Sequence, residues 1–274
     1  FRSGVDYNEG LDQIVLSSHF LNEMWVIDHS LNKSETSKNT GGKYGVGGGF
    51  LYRWGNPAAY GASGPTVFKV MHDAHWVPKD APRAGFLAAV NNQGVSNNQT
   101  AADYFQSSWD GTKYVKSPGQ AYLPVNYSFR HSANGYTSNM GSCQELPNGN
   151  LLICLATASK VYEVDSTGKQ LWVYQGNAPI PQAFRHSKCF IENPKANVST
   201  SSMFVNPGES VDLNCSVIAT AATGLIYNWS PVEGLSDPTL ANPIAKPNLT
   251  TTYTVTVTSA AGCSATASIT ITVK

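Results

Sequence analysis

Short runs in which apolar and polar residues alternate with a period of two, set apart by turn residues, recur along this chain and predict β-strands. The clearest stretch is GSCQELPNGNLLICLATASKVYEVDSTGKQLWVYQ. Its four runs are joined by Pro147-Asn148-Gly149-Asn150, an Ala-Thr-Ala-Ser link and Asp165-Ser166-Thr167-Gly168. Four antiparallel strands over about 40 residues make one propeller blade. DQIVLSS, NEMWVIDHS and FLYRWG predict another, with the glycine-rich insertion KNTGGKYGVGGG between its outer strands, and a third runs from HDAHWVP through GFLAAVNN. Residues 1–193 then hold about four blades, and a ring usually needs more to close. An upstream segment of the protein or another chain is expected to complete it.

The texture changes after residue 193. From Val198 onward histidine and arginine vanish, and Thr/Ser alternates with Val/Ile in SMFVNPGESVDLNCSVI, LIYNWSP, TTTYTVTVTSAAG and SATASITITVK, with turns at Asn206-Pro207-Gly208 and Ala261-Gly262. This predicts a separate β-sandwich over 198–274, joined by a linker at 192–197, with Trp229 filling the space between its sheets. The fold class is therefore all-β: a partial propeller of about four blades and a small immunoglobulin-like sandwich. The phrases YNWSPVEGLSDPTLANPIAKPNLTTTYTVTVT and NPGESVDL resemble the immunoglobulin-like repeats of large surface proteins of Bacteroidetes-type bacteria, which implies a spacer or adhesion module.

Composition narrows the partners. Acidic and basic residues balance at 18 each and only 13% of the chain is charged, with no basic run, so neither nucleic acid nor an anionic membrane is an expected partner. No apolar stretch approaches the roughly 20 residues of a membrane span. Phe1 does not begin a signal peptide, and the chain is expected to be a mature piece of a longer protein. Few lysines and many Asn, Ser, Thr and Gly point to a secreted or cell-surface setting. The five cysteines lack the close CxxC spacing of a structural zinc site. Folding the Pro147 to Asn150 turn back sets Cys143 opposite Cys154, either as a bridge or as two buried thiols. Cys215 and Cys263 are expected to be bonded across the second domain, leaving Cys189 as a small buried hydrophobe.

The segment between Asp12 and Pro78 carries four of the six histidines. Its phrases IVLSSHF, WVIDHS, LYRWGNP and HDAHWVP, in that order, resemble the arylsulfotransferase family over roughly the first two thirds of the chain. The resemblance implies a secreted propeller that moves a sulfuryl group from an aryl sulfate to a phenol through a histidine, with no cofactor and no nucleotide. By that resemblance His72 is the residue that takes the sulfuryl group. An uncharged imidazole attacks sulfur and the phenolate leaves. His19 stands where the family carries an arginine clamping the sulfuryl oxygens, and a neutral imidazole donates one hydrogen bond in place of a charged fork. The family's histidine and asparagine ahead of the VDYN phrase are replaced here by Phe1, Arg2 and Ser3.

Arg53, beside Trp54, is the next candidate for the funnel; it either binds an anion or packs on the tryptophan. Alternation along a strand places His72 and Ala74 on one side, Asp73 and His75 on the other. Both histidines therefore do not share a metal unless the strand bends or another blade supplies a ligand, and no metal is expected. His29 reads as a turn residue, and the repeated Phe-Arg-His-Ser phrase at 129–132 and 184–187 reads as a structural repeat. GGKYGVGGG lacks the Lys-Ser/Thr of a phosphate loop, and no Gly-x-Ser-x-Gly elbow occurs. Two functions stay open: a sulfotransferase using His72, His19 and Arg53, or a degenerate propeller that binds an extracellular ligand or protein.

Overall fold

The computed structural model describes residues 2–32, 34, 40–186, 189, 194–218 and 223–274, without the side chains of Arg2 and Ser3. The chain divides into two compact units, Phe1–Arg185 and His186–Lys274.

In the first unit three four-stranded antiparallel sheets form, each a simple meander in chain order. The first contains β1 (Arg2–Asn8), β2 (Gln13–Ser18), β3 (Glu23–Asp28) and β4 (Phe50–Trp54). The second holds β5 (Met71–Trp76), β6 (Leu87–Ser96), β7 (Gln99–Phe105) and β8 (Phe129–Ser132), and the third β9 (Ser142–Glu145), β10 (Leu151–Leu155), β11 (Lys160–Val164) and β12 (Gln170–Gln175). Strand order and the packing of β1 on β5 and of β5 on β9 are those of consecutive propeller blades, first strands innermost. Three blades are built by the described residues, where the sequence pattern predicted about four.

The middle sheet is covered on both faces, which accounts for its loss of alternation: Ala88, Ala89, Val90, Ala101 and Ala102 are all buried. Toward the first sheet, Leu87, Ala89 and Phe105 meet Val15, Val26, Tyr52 and Trp54, and the Trp54 and Phe105 rings stack at 3.8 Å. On its other face, Ala88, Val90, Ala102 and Tyr104 meet Cys143, Leu151, Ile153 and Tyr162 of the third sheet. Alanines at these positions let the sheets approach closely. The two outer faces of the stack are also apolar: Val5, Tyr7 and Phe50 on the first sheet and Trp172 and Tyr174 on the third are about half exposed.

Cys154 pairs with Ser142, and Cys143 with Ile153. The register is thus one residue away from that expected, which puts the two thiols on opposite faces. Both are buried and free, the second of the two outcomes left open by the sequence.

The second unit has two sheets. One runs β13 (Lys195–Thr200), β15 (Val211–Ile218), β17 (Ile244–Ala245); the other runs β14 (Phe204–Val205), β19 (Ser264–Val273), β18 (Thr251–Thr258), β16 (Ile226–Ser230). Alternate residues of β15 and β18 point inward, and Trp229 is fully buried among them with its indole N–H on the Leu240 carbonyl, as expected for a core tryptophan. Of the expected linker, 192 and 193 lie outside the described residues, while Lys195, Ala196 and Asn197 already pair with β15. The disulfide joins Cys189 to Cys263, not Cys215 to Cys263. Cys215 alternates inward with Leu213 into the core, whereas Cys263 sits in the turn before β19, so their side chains do not meet.

Candidate functional site

His72 and His19 come together; Arg53 does not join them. His19 follows the end of β2, and Asn22, two residues beyond Phe20, accepts a hydrogen bond through Oδ1 from the Val70 N–H at 2.7 Å. That bond ties the β2–β3 turn to the entry of β5. It brings the His19 and His72 rings to 4.7 Å between centroids, tilted by 55°.

The backbone around His72 is strained. Val70 and Asp73 have φ of 59° and 58°. A β-branched residue in the left-handed region is a rare and costly choice, retained only where the surroundings enforce it. The enforcement is visible. Asn91 Oδ1 accepts from Lys69 N–H, its Nδ2 donates to the Val67 carbonyl, and Asn92 N–H donates to the Val70 carbonyl. Asp73 is the extra residue of a bulge between His72 and His75, since His72 pairs with Val90 and His75 with Ala88. The bulge removes the simple alternation expected along HDAH. Gly4 of β1 lies so close that a Cβ there would stand 2.7 Å from Asp73 Cα.

His72 is 3% exposed. Its Nδ1 lies 2.7 Å from Asn92 Oδ1. Asn92 Nδ2 is committed to two carbonyls, Thr137 at 2.9 Å and Met140 at 3.0 Å, which fixes Oδ1 as the acceptor facing the imidazole. Nδ1 therefore carries the proton and Nε2 the lone pair. Burial holds the His72 pKa below its usual value, outweighing the opposing hydrogen bonds to the Asn92 and Asn139 side chains and the Val70 backbone, and His19 adds to the lowering. The His19 pKa is also lowered, chiefly by burial, and its Nδ1 is buried without a hydrogen-bond partner.

Arg53 lies on β4, where its guanidinium grips both carboxylate oxygens of fully buried Glu23, at 2.7 Å for the shortest contact, and also donates to the Ala59 carbonyl. The same device recurs. Arg130 holds Asp103, Arg185 holds Glu163 and Arg83 holds Glu145. Within the repeated phrases, Arg130 and Arg185 thus serve one role, pairing with a buried acid of the preceding strands. His131 meets the Tyr162 hydroxyl at 3.2 Å, and His29 the Asp12 carboxylate at 2.7 Å. Phe1 and the side chains of Arg2 and Ser3 lie outside the described residues. The asparagines 22, 91 and 92 were not singled out from the sequence. Their signal is the pair Asn91-Asn92 within an apolar run, since amides buried there must find partners.

No family model matches the chain, and no curated protein does. Among solved structures it is similar to hydrazine synthase of Kuenenia stuttgartiensis, at 8% identity and a TM-score of 0.37 over 94% of this chain and 63% of that one. The chain thus spans less than two thirds of that protein's length. A Bacteroides caccae protein of unknown function gives 8% identity and a TM-score of 0.36, covering 98% of this chain and 86% of that one. An amphioxus IgVJ-C2 molecule gives 13% identity and 0.24, covering 68% and 88%. Likeness at this level carries no argument about activity.

Proposed function

We propose that the first unit belongs to an extracellular propeller that transfers sulfuryl groups between phenols, with His72 as nucleophile. The observation that supports it is the Asn92 amide, which spends both N–H groups on backbone carbonyls and so presents His72 with an acceptor, leaving the Nε2 lone pair for attack. In the reaction Nε2 forms a bond to the sulfur of an aryl sulfate as the sulfur–oxygen bond to the ring breaks, and the phenolate departs. An acceptor phenol then attacks sulfur as the Nε2–S bond breaks, its proton passing to the released phenolate, which returns the neutral imidazole. His19, in ring contact with His72, donates to the transferred oxygens, which gain negative charge as the leaving group departs. Arg53 was expected to share that task; its bidentate pairing with Glu23 favours a structural role instead.

A second reading, a propeller that binds without turnover, is favoured by that same pairing, because it leaves the two histidines without a guanidinium among the described residues. The apolar outer faces of the first and third sheets support completion of the ring by further blades of the protein. The disulfide supports a secreted or cell-surface setting, and among the described residues no helix is long and apolar enough to cross a membrane. The test is phenol release from a chromogenic aryl sulfate with a phenol acceptor, using the full-length protein. His72→Asn is expected to abolish it and His19→Ala to reduce it severely. No turnover by the folded wild-type protein leaves the binding reading.

A further inference from the structure

Four buried acids of the first unit face an arginine, whereas two, Asp28 and Asp73, face none among the described residues. Glu23, Asp103, Glu145 and Glu163 each face a guanidinium. Asp73, 4% exposed, faces none among the described residues. Its carboxylate is held by neutral donors, the Cys143 N–H at 2.9 Å and the Gln182 side-chain amide at 3.1 Å. Ionisable groups around it are the His75 ring, with Nδ1 at 3.6 Å, the Cys143 thiol and the Asp6 carboxylate. A buried carboxyl in such company either keeps a proton or is met by a positive charge.

From this arrangement we infer that Asp73, His75 and Cys143 bind a zinc ion that clamps the second blade to the third. One possible ligand atom of each residue lies within 4.8 Å of those of the other two, two of the residues being on β5 and one on β9. Strand alternation along HDAH leaves a metal site open where the strand bends or another blade supplies a ligand; the bulge at Asp73 is such a bend and the thiol of Cys143 such a ligand.

The histidine is set up as metal ligands usually are. Its Nδ1 lies 2.8 Å from the Asp73 backbone carbonyl, so the N–H points there and the lone pair is on Nε2. Nε2 is buried and has no hydrogen-bond partner. The buried Tyr104 hydroxyl interacts with the Cys143 thiol. A carboxylate, a thiolate and a neutral imidazole carry two negative charges, which a divalent cation cancels in this apolar setting. Sulfur together with nitrogen and oxygen donors suits zinc, with ligands at about 2.0–2.3 Å and roughly 3.5 Å from one another, so the trio has to draw together around the ion. The fourth position is left to a water or to Tyr104. Formation requires loss of the thiol proton to solvent and no redox step. The ion does not touch the sulfuryl chemistry, but it pins the bulge that follows His72.

The test uses the full chain grown with zinc and desalted without chelator. One zinc per chain is expected by elemental mass spectrometry. Replacement by cobalt should give the near-ultraviolet sulfur-to-cobalt charge-transfer band. Cys143→Ser should remove the band and His75→Gln should weaken cobalt binding at least tenfold, while Cys154→Ser, which alters the free thiol on the opposite face, should change neither. Should a variant not fold, X-ray absorption on the wild-type cobalt protein decides, with one sulfur expected in the coordination shell. A folded wild-type chain that holds no metal, a shell without sulfur, or a band that survives Cys143→Ser overturns the assignment.

Discussion

Replacing Asn92 by leucine should cost the first unit far more than an ordinary polar-to-apolar change on a strand. Asn92 is fully buried, and its side chain bonds His72 Nδ1 at 2.7 Å and the carbonyls of Thr137 and Met140 at 2.9 and 3.0 Å. Leucine has similar bulk and excludes water, so three buried polar groups lose their partners at about 1–3 kcal/mol each. Partial relaxation of the 133–141 loop lowers the sum, and about 3–5 kcal/mol is expected, a large part of the stability of a domain this size. Asn92→Ala leaves room for a water between the same groups and should cost less. The assay is urea unfolding followed by a tryptophan signal from the first unit, with the transition of the second unit as internal control. Asn92→Ala should also shift the nitrogen resonances of His72 away from the Nδ1–H tautomer, which a merely structural loss would not do. A cost below about 1 kcal/mol for leucine, or an unchanged tautomer, refutes the argument that Asn92 positions the imidazole.

Three further outcomes are expected. Arg53→Met leaves fully buried Glu23 without its partner and should destabilise the first unit by about 3–5 kcal/mol in urea unfolding, whereas an anion-binding arginine would cost little stability. Cys189→Ser opens a loop with a sequence separation of 74 and should lower the stability of the second unit by up to about 4 kcal/mol, with no effect of Cys215→Ser through disulfide loss. His131 is buried and its pKa is lowered by that burial, so the unfolded chain binds the proton more readily than the folded one. Its contribution is intact above the unfolded value near 6.5 and is lost as pH falls through that value toward the folded one; stability measured at pH 7.5 and 5.5 should fall less in His131→Leu than in the wild type.

The strands were legible because each depends on local alternation and on turns such as Asn148-Gly149, which need no knowledge of distant neighbours. Registers were not. The single-residue offset between Cys143 and Cys154 depends on how the Leu146 to Asn150 connection closes, with Leu146 N–H donating to the Asn150 carbonyl, and that shift decides which face each thiol occupies. The disulfide failed for a related reason. Cys215 alternates inward like its neighbours, and the partner of Cys263 comes from the start of the unit, a juxtaposition no local pattern encodes. At the site, His72 and His19 were found through motif resemblance. The asparagines that position them lie in β6 and in the β2–β3 turn, where only the packing of three segments makes their amides indispensable. Arg53 looked free because its captor, Glu23, lies 30 residues away along the chain on the neighbouring strand.

The most direct test of the central claim is covalent. Full-length protein mixed with an aryl sulfate and no acceptor, then quenched, should show by intact mass the addition of one sulfuryl group, with peptide mapping placing it on the His72 imidazole. Adding a phenol before the quench should remove it. An adduct on another residue, or none in folded wild-type protein under conditions where phenol is released, would contradict the account.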